Sequence, residues 1–208
     1  RLTELCREWK ETFPSVPAWN DRVHWSDGSA RTANFVLLLD ALNFCFWPDP
    51  GKPKWKVSYQ GELHDGYMAL AASLKKAIEG GDKLYEAERM ASVTKSELEH
   101  IFRGEKMIPM LEERVANVRE AGRVLLERYD GSFANAVESA QNSAVTLTRL
   151  LVEQFPSFKD EAVYKGAVVK FYKRAQITVT DLIGSFDGKG LGFFQDAGQL
   201  TAFADYKI

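Results

Sequence analysis

The segment ARTANFVLLLDALNFCFW, which runs from Ala30 to Trp47, decides the fold class of this chain. Read as a helix, it carries apolar side chains on nearly every face, and a helix that is hydrophobic all round is buried in a core. Pro48 closes it, because proline cannot continue a helix. The run is interrupted by Asp40 and Asn43, and it is too short and too polar to span a bilayer. The sequence therefore predicts a buried helix over residues 30–47.

Helical periodicity also dominates the rest of the chain. Thr94-Lys-Ser-Glu97 has the pattern of a capping box, which starts a helix. Pro109 suits the first turn of a helix that continues to Tyr129. Further helices are predicted over residues 2–13, 66–79, 133–140, 142–155 and 161–186, the last of them long and buried. Residues 55–60 fit a short strand or an extended loop, and convincing alternating strands are nearly absent. The sequence predicts an all-α fold, a compact helical bundle in a single domain over residues 1–208.

The bulk composition limits the classes of partner. The net charge is -2 and no basic run occurs, whereas a protein that grips a long phosphate backbone carries clustered Lys and Arg. Polymer nucleic acid is therefore not expected as a partner, although a single nucleotide remains open. Cys6 and Cys45 are too few for a disulfide scaffold and lack zinc-ligand spacing. We expect reduced thiols in a cytoplasmic protein, whose natural chain extends beyond Arg1 and Ile208.

Several motifs are incomplete. His24, His64 and His100 are scattered and form no HExxH, so no metal site is expected. Gly188, Gly190 and Gly192 give G-x-G-x-G without the strand and helix that a dinucleotide site needs, which favours a loop over residues 184–192. Walker and nucleophile-elbow motifs are missing from the sequence.

A polar cluster interrupts the apolar segment. Asp40, Asn43, Phe44 and Trp47 are spaced i, i+3, i+4, i+7 and would share one helix face. An unpaired buried carboxylate is very costly, so Asp40 needs a partner. One interpretation is a structural hydrogen bond to a loop or an arginine. The other is a ligand pocket with a polar edge and an aromatic plate, which suits a purine-like base.

Two later segments also place charge among apolar residues. Lys173 and Arg174 interrupt an aromatic and β-branched run, and Arg174 is seven residues from Asp181 on the same face. One interpretation of Arg174 is a structural ion pair with Asp181. Lys173 either extends its ammonium to solvent past apolar neighbours or has a functional role. Asp205 lies among small and aromatic residues, either at the surface or in a desolvated site.

Four segments of the chain together resemble the hallmark motifs of the queuosine salvage protein family. They are Leu39-Asp-Ala-Leu-Asn-Phe-Cys-Phe-Trp47, Asp65-Gly-Tyr-Met-Ala-Leu70, Tyr172-Lys-Arg-Ala-Gln176 and Phe203-Ala-Asp-Tyr206. Four motifs in the same order are more specific than any one of them. The resemblance implies a fold similar to helical DNA glycosylases, a free nucleotide as substrate, and further chain beyond the position of Ile208.

The resemblance also implies the site residues. The catalytic Lys and Asp of the family fall on Lys173 and Asp205. The base pocket falls on Asp40, Asn43, Phe46, Trp47 and Tyr67. Asp181 and Asp49 are further carboxylate candidates.

The implied reaction is hydrolysis of queuosine 5′-monophosphate to queuine and ribose 5-phosphate, with no metal or organic cofactor. Queuine is a 7-deazaguanine, so it has no N7 whose protonation would make the base a better leaving group. The enzyme must instead stabilise the cation that develops on the sugar. Three alternatives remain open at this point: a non-catalytic nucleoside-binding module, a nucleic-acid base glycosylase and a helical scaffold. The sequence does not indicate an oligomeric state.

Overall fold

The helices assemble around one buried helix, α1. The computed structural model of the chain describes Trp19 and residues 21–48 and 50–204. The helix α1 (Ala30–Ala41) is capped by Ser29, whose side chain accepts from the Arg31 amide, and every residue from Thr32 to Ala41 is buried. The predicted burial is therefore confirmed for this part of residues 30–47, because a helix with apolar side chains on every face must be covered on every face.

The other elements follow in chain order. They are β1 (Lys56–Tyr59), β2 (Glu62–Asp65), α2 (Gly66–Glu79), α3 (Ala87–Ser92), α4 (Lys95–Ile101), α5 (Leu111–Arg128), α6 (Phe133–Ser139), α7 (Ala144–Gln154), β3 (Glu161–Tyr164), β4 (Ala167–Lys170) and α8 (Lys173–Ser185). Short 3-10 turns occupy Pro156–Phe158, Gly190–Gly192 and Ala197–Gln199. Helix α1 packs against α2, α5, α6 and α8.

The all-α prediction is wrong, because the chain also forms two antiparallel hairpins. Strand β1 pairs with β2, and β3 pairs with β4. Each hairpin turns through two residues with positive φ, Gln60-Gly61 in the first and Lys165-Gly166 in the second. Positive φ at both turn positions is typical of the two-residue hairpin turn whose twist matches that of the paired strands, and glycine accommodates it at little cost. The fold is helix-rich but mixed.

The predicted helix over residues 161–186 is replaced by the hairpin β3–β4 followed by α8. Tyr172, with φ of 49°, separates the two elements. The hairpin is exposed along both strands, so its apolar residues do not alternate between a buried and a solvated face. A short apolar run of this kind cannot be distinguished from a buried helix by periodicity alone.

Other predicted helices agree with the structure. Helix α2 has the predicted bounds. The capping box is formed: the Thr94 hydroxyl accepts from the Glu97 amide, and the Glu97 carboxylate accepts from the Thr94 amide. The predicted helix over residues 2–13 lies outside the described residues.

The last described segment is fastened to α7 and α8 by two polar side chains. The Asp196 carboxylate accepts from the Ser143 hydroxyl and from the Ala144 amide at the start of α7. Gln176 Oε1 accepts from the Thr201 amide at 2.8 Å and from its hydroxyl at 3.0 Å. The contacts of Gln176 hold the backbone at Thr201 against α8. Across the described ranges, no helix combines the length and the apolar character needed to cross a membrane.

Candidate functional site

Helix α1 ends at Ala41, and the residues that follow form an irregular strap (residues 42–47). This corrects the predicted helix over residues 30–47. The buried guanidinium of Arg114, on α5, donates to the carbonyls of Leu42, Phe44 and Cys45, the last two at 2.6 and 2.8 Å. Carbonyls at a helix end need donors, and a cation is favoured there by the helix dipole. Arg114 therefore lets the chain leave the helix inside the protein.

A second arginine holds the same region from the other side. Arg174, on α8, donates to the Ala41 carbonyl at 2.9 Å and also to the Ser157 carbonyl. Both guanidinium groups lie near the Phe44 ring, whose centroid is 4.4 Å from Arg114 Cζ and 5.0 Å from Arg174 Cζ. Arg174 bonds to carbonyls and forms no ion pair with Asp181, so the pairing considered from their spacing is not formed.

The strap forms one wall of a cavity of about 310 Å³. This volume is at the lower end of the range of small-molecule sites, about 300–1,000 Å³. The opposite wall is the start of α2, and Lys173 contributes from the start of α8. The lining residues are Asn43, Phe44, Cys45, Phe46, Trp47, Lys54, Asp65, Gly66, Tyr67, Met68 and Lys173.

Two aromatic rings of the strap face different surroundings. The Phe46 ring stacks on the buried Trp55 ring, with centroids 6.5 Å apart and planes 14° apart. Trp47 is 53% exposed, and the Lys54 ammonium lies 5.2 Å from its ring centroid. An exposed indole face beside a cavity can stack against a flat heterocycle.

Two carboxyl groups lie behind the cavity. Asp40 is fully buried and its Oδ1 accepts from Asn43 Nδ2 at 3.2 Å, whereas its Oδ2 has no hydrogen-bond partner among the described residues. Burial raises the pKa of Asp40 well above its usual value, and the neighbouring charge of Asp181 raises it further. Burial likewise raises the pKa of Asp181 to about 7, against a lowering by the Tyr67 hydroxyl. Because the negative charge of one carboxylate disfavours ionisation of the other, the Asp40–Asp181 pair retains a proton near neutral pH.

Tyr67 connects this pair to the cavity. Its ring lines the cavity, and its hydroxyl donates to Asp181 Oδ2 at 3.2 Å. The same hydroxyl lies 2.9 Å from His24 Nε2. Burial, with the charges of Asp181 and Asp40, raises the pKa of Tyr67, so it remains a neutral phenol at physiological pH.

Lys173 is positioned by the first turn of α8. The Asp160 carboxylate accepts from the Lys173 amide at 3.0 and 3.2 Å and so caps this helix. The cap fixes the backbone from which the Lys173 side chain reaches the cavity.

The structure brings together most of the residues predicted from sequence. Asn43, Phe46, Trp47, Tyr67 and Lys173 line the cavity. Asp40 and Asp181 lie behind it, bonded to the lining residues Asn43 and Tyr67. Their binding of a ligand stays a prediction. Asp205 and Asp49 lie outside the described residues.

Sequence reasoning missed two residues that organise the site. Arg114 falls in one helical stripe with Leu111, Val115 and Val118, all buried, and a charge in that stripe was an available signal. His24 was considered only as a metal ligand. Among the described residues, no group of three or more His, Cys, Asp or Glu side chains is arranged to hold a metal ion.

Aromatic walls, a lysine at one side and protonatable carboxyls behind the cavity are features typical of small-molecule sites. Residues 23–208 match the sequence model of the family described as Queuosine salvage protein, and the chain belongs to that family.

Relatives of this chain carry one name. A Sphaerobacter thermophilus protein called Queuosine 5′-phosphate N-glycosylase/hydrolase is 53% identical over 207 residues, which cover 100% of this chain and 63% of the relative. A mouse protein of the same name is 42% identical over 211 residues, covering 100% of this chain and 61% of the relative. The chain thus spans about three fifths of the length of these relatives.

Proposed function

We propose that this chain carries the substrate pocket of an enzyme that hydrolyses the N-glycosidic bond of queuosine 5′-monophosphate and releases queuine for salvage into tRNA modification. The observation that carries the proposal is the meeting of Asn43, Phe46, Trp47, Tyr67 and Lys173 at one cavity. These residues come from three separated family motifs. The substrate is taken from the name that the relatives share.

The base would occupy the end of the cavity formed by the strap and Tyr67. Trp47 offers an exposed aromatic face, and Asp40 has an oxygen without a hydrogen-bond partner among the described residues. A carboxylate there suits either the N–H edge of a guanine-like ring or the side-chain ammonium of queuine. Asn43 and Asp181 would complete the polar edge, because each bonds to a group of the same cluster.

The phosphate or ribose would lie against Lys173, whose position on α8 is fixed by the Asp160 cap. A lysine ammonium is a compact charge that binds phosphate without requiring a planar partner. The same charge would also favour the ionised form of a neighbouring Asp205.

The chemical step would break the C1′–N bond while a water oxygen bonds to C1′. One water proton goes to the carboxylate, which then releases it, through solvent, to the ring nitrogen of the departing base. In a 7-deazaguanine, N7 is not available for protonation, so stabilising the oxocarbenium-like sugar carries more of the barrier. We assign Asp205 to this role: it would face C1′ and orient or deprotonate the water.

The tether at Thr201 supports this assignment. Gln176 holds Thr201 and is one helical turn from Lys173 on α8. Asp205 follows Thr201 by four residues, a length that spans at most about 14 Å when extended. We propose that these four residues bring the Asp205 carboxylate to the Lys173 side of the cavity.

We place the activity in the cytoplasm and expect a single nucleotide, not polymer nucleic acid, as the substrate. The free and exposed thiol of Cys45 suits a reducing compartment. The net charge of -2 does not favour a long phosphate backbone.

The test is the Asp205→Asn substitution, which keeps the side-chain size and removes the negative charge. If the charge acts mainly in the transition state, single-turnover release of queuine should slow by roughly a hundredfold or more, while affinity measured by calorimetry changes much less. Asp187→Asn is the matched control, since Asp187 is an exposed aspartate paired with Lys189. Near wild-type turnover of the Asp205 variant would move the role to Asp181 or Asp40. Nucleotide binding by the wild-type protein without release of queuine would contradict the hydrolase.

A further inference from the structure

Tyr67 stands between two groups that each have two protonation forms. The Tyr67 hydroxyl has a single proton and two hydrogen-bond partners. Its oxygen lies 3.2 Å from Asp181 Oδ2 and 2.9 Å from His24 Nε2. Asp181 is a donor when protonated and only an acceptor when ionised. A neutral imidazole is a donor at one nitrogen and an acceptor at the other.

While the His24 imidazole is neutral, only two arrangements satisfy both hydrogen bonds of this bridge. With Asp181 ionised, Tyr67 donates to Asp181 Oδ2, and the hydroxyl oxygen must accept from a proton on His24 Nε2. With Asp181 protonated, Asp181 donates to the hydroxyl oxygen, and Tyr67 must donate to His24 Nε2, so the imidazole proton is on Nδ1. The carboxyl gains one proton from solvent between the two states, and the imidazole keeps its proton number but changes its tautomer.

We propose that His24 is a positioning residue of the pocket, which acts through Tyr67 so that its tautomer and the proton on Asp181 change together. The proposal deepens the proposed function and rests on it where catalysis is concerned. The bridge would let Asp181 take up or release a proton without losing its hydrogen bond to Tyr67, and leaving a buried hydrogen bond unmade is costly.

The surroundings hold the bridge in place. His24 is 6% exposed, and its ring stacks on Trp19 with centroids 4.2 Å apart. The Lys75 ammonium donates to the His24 carbonyl at 3.1 Å and to the Asp21 carbonyl at 2.6 Å, which fixes the backbone of the loop. An imidazole fixed in this way can change its tautomer more easily than its position.

Other charged and titratable groups bear on the bridge. The charge of Asp181 raises the pKa of Asp40, on α1, so ionisation of one carboxyl opposes ionisation of the other. Arg174, on α8, favours the ionised form of Asp40. Lys173 lines the cavity on the side of α8. The proton is therefore gained or lost by the Asp40–Asp181 pair as a unit, and the tautomer of His24 changes with the protonation of that pair.

The direct test is the tautomer of His24 across pH, measured by long-range nitrogen–proton NMR on protein labelled with ¹⁵N-histidine. The chain has three histidines, so His24→Gln assigns the signal, and His64 and His100 serve as internal references. We expect the Nδ1–H form at low pH and the Nε2–H form at high pH, with a midpoint near the pKa of Asp181, about 7.

Two variants separate the bridge from a general pH response. Asp181→Asn removes the titrating partner, and Tyr67→Phe removes the hydroxyl; in both, the tautomer change near this midpoint should disappear. Tyr59→Phe is the matched control, because the Tyr59 hydroxyl donates to a different carboxylate, Glu79, at 2.7 Å. A single His24 tautomer from pH 5 to 9, formation of an imidazolium without a tautomer change, or an unchanged response in Asp181→Asn would overturn the proposal.

The activity profile supplies a second readout that a purely structural histidine would not move. Tyr67→Phe removes a donor to the ionised form of Asp181, so the midpoint of the kcat pH profile should rise by roughly 1–2 pH units. A lower melting temperature with an unchanged midpoint would reduce Tyr67 and His24 to structural residues. The NMR test needs no substrate. A tautomer switch in a protein that releases no queuine would therefore uphold the bridge and contradict the hydrolase.

Discussion

Trp47 and Phe46 are neighbours in the chain, but their rings have different surroundings. Phe46 is half-buried, stacks on Trp55 and lies 5.2 Å from the Arg114 guanidinium. Trp47 is exposed and borders the cavity. We therefore expect Trp47 to be the ring that stacks on a ligand, and Phe46 to stabilise the strap.

We predict that Trp47→Ala weakens binding of queuosine 5′-monophosphate by on the order of 1–3 kcal/mol, the usual value of one base–aromatic stack. Phe46→Ala should lower the melting temperature more than the affinity. Calorimetric titration and thermal denaturation of both variants measure the two effects. The opposite pattern, with affinity lost only in Phe46→Ala, would make Phe46 the stacking ring.

At this scale the sequence predicts residue types better than contacts. The cost of a buried charge required a partner for Asp40, and Asn43 provides it. The second carboxyl behind the cavity, Asp181, comes from a helix far along the chain, and no spacing rule brings it beside Asp40. The role of His24 depends on the same kind of distant contact, through Tyr67 of α2.

At the scale of elements, the end of α1 depends on a side chain of α5. Arg114 satisfies carbonyls of the strap and, through Nε, the Pro109 carbonyl at 2.8 Å. Burial lowers the pKa of Arg114 to about 10, so the guanidinium remains charged at neutral pH. One cation thus fastens two segments of chain that lie far apart in sequence.

Arg114→Met should lower the free energy of unfolding by at least about 3 kcal/mol, because several carbonyls lose their donor and each unmade buried hydrogen bond costs about 1–3 kcal/mol. Urea denaturation measures the loss. Arg123→Met is a suitable comparison, since Arg123 is exposed on the same helix and should change stability by less than about 0.5 kcal/mol. Equal losses in the two variants would show that the carbonyl contacts of Arg114 do not stabilise the strap.

The elements that sequence predicted well are those whose boundaries are set locally. The capping box of Thr94 and Glu97 and the bounds of α2 are examples. The end of α1 was missed because distant arginines provide its donors. The strand alternative for residues 55–60 agrees with β1, but its pairing and the second hairpin were missed, although Gln60-Gly61 and Lys165-Gly166 are turn signals.

At the scale of the whole molecule, the charge balance separates a nucleotide from a polymer. A protein with 27 basic and 29 acidic residues offers few cations for a phosphate backbone. The buried apolar side chains of the described residues form one cluster, and the cavity opens at its edge. This packing brings the separated motifs together at one cavity. From the sequence, only the resemblance to the family indicated that they would meet.

Affinity for queuosine 5′-monophosphate should fall by about fourfold or less between 50 and 200 mM salt, as expected for one phosphate contact. Calorimetry at several salt concentrations measures the slope, with a single-stranded oligonucleotide as the comparison ligand. Tight oligonucleotide binding that weakens by a thousandfold or more over this range would identify a nucleic-acid-binding protein instead.

The exposed thiol of Cys45 has a practical consequence for studying this protein. It is part of the cavity wall, and its carbonyl is held by Arg114, so its backbone position is fixed. A maleimide-linked fluorophore on Cys45, in a chain where Cys6 is replaced by serine, would sit at the rim of the pocket. The protein thus provides its own attachment point for an optical sensor of occupancy, independent of any turnover.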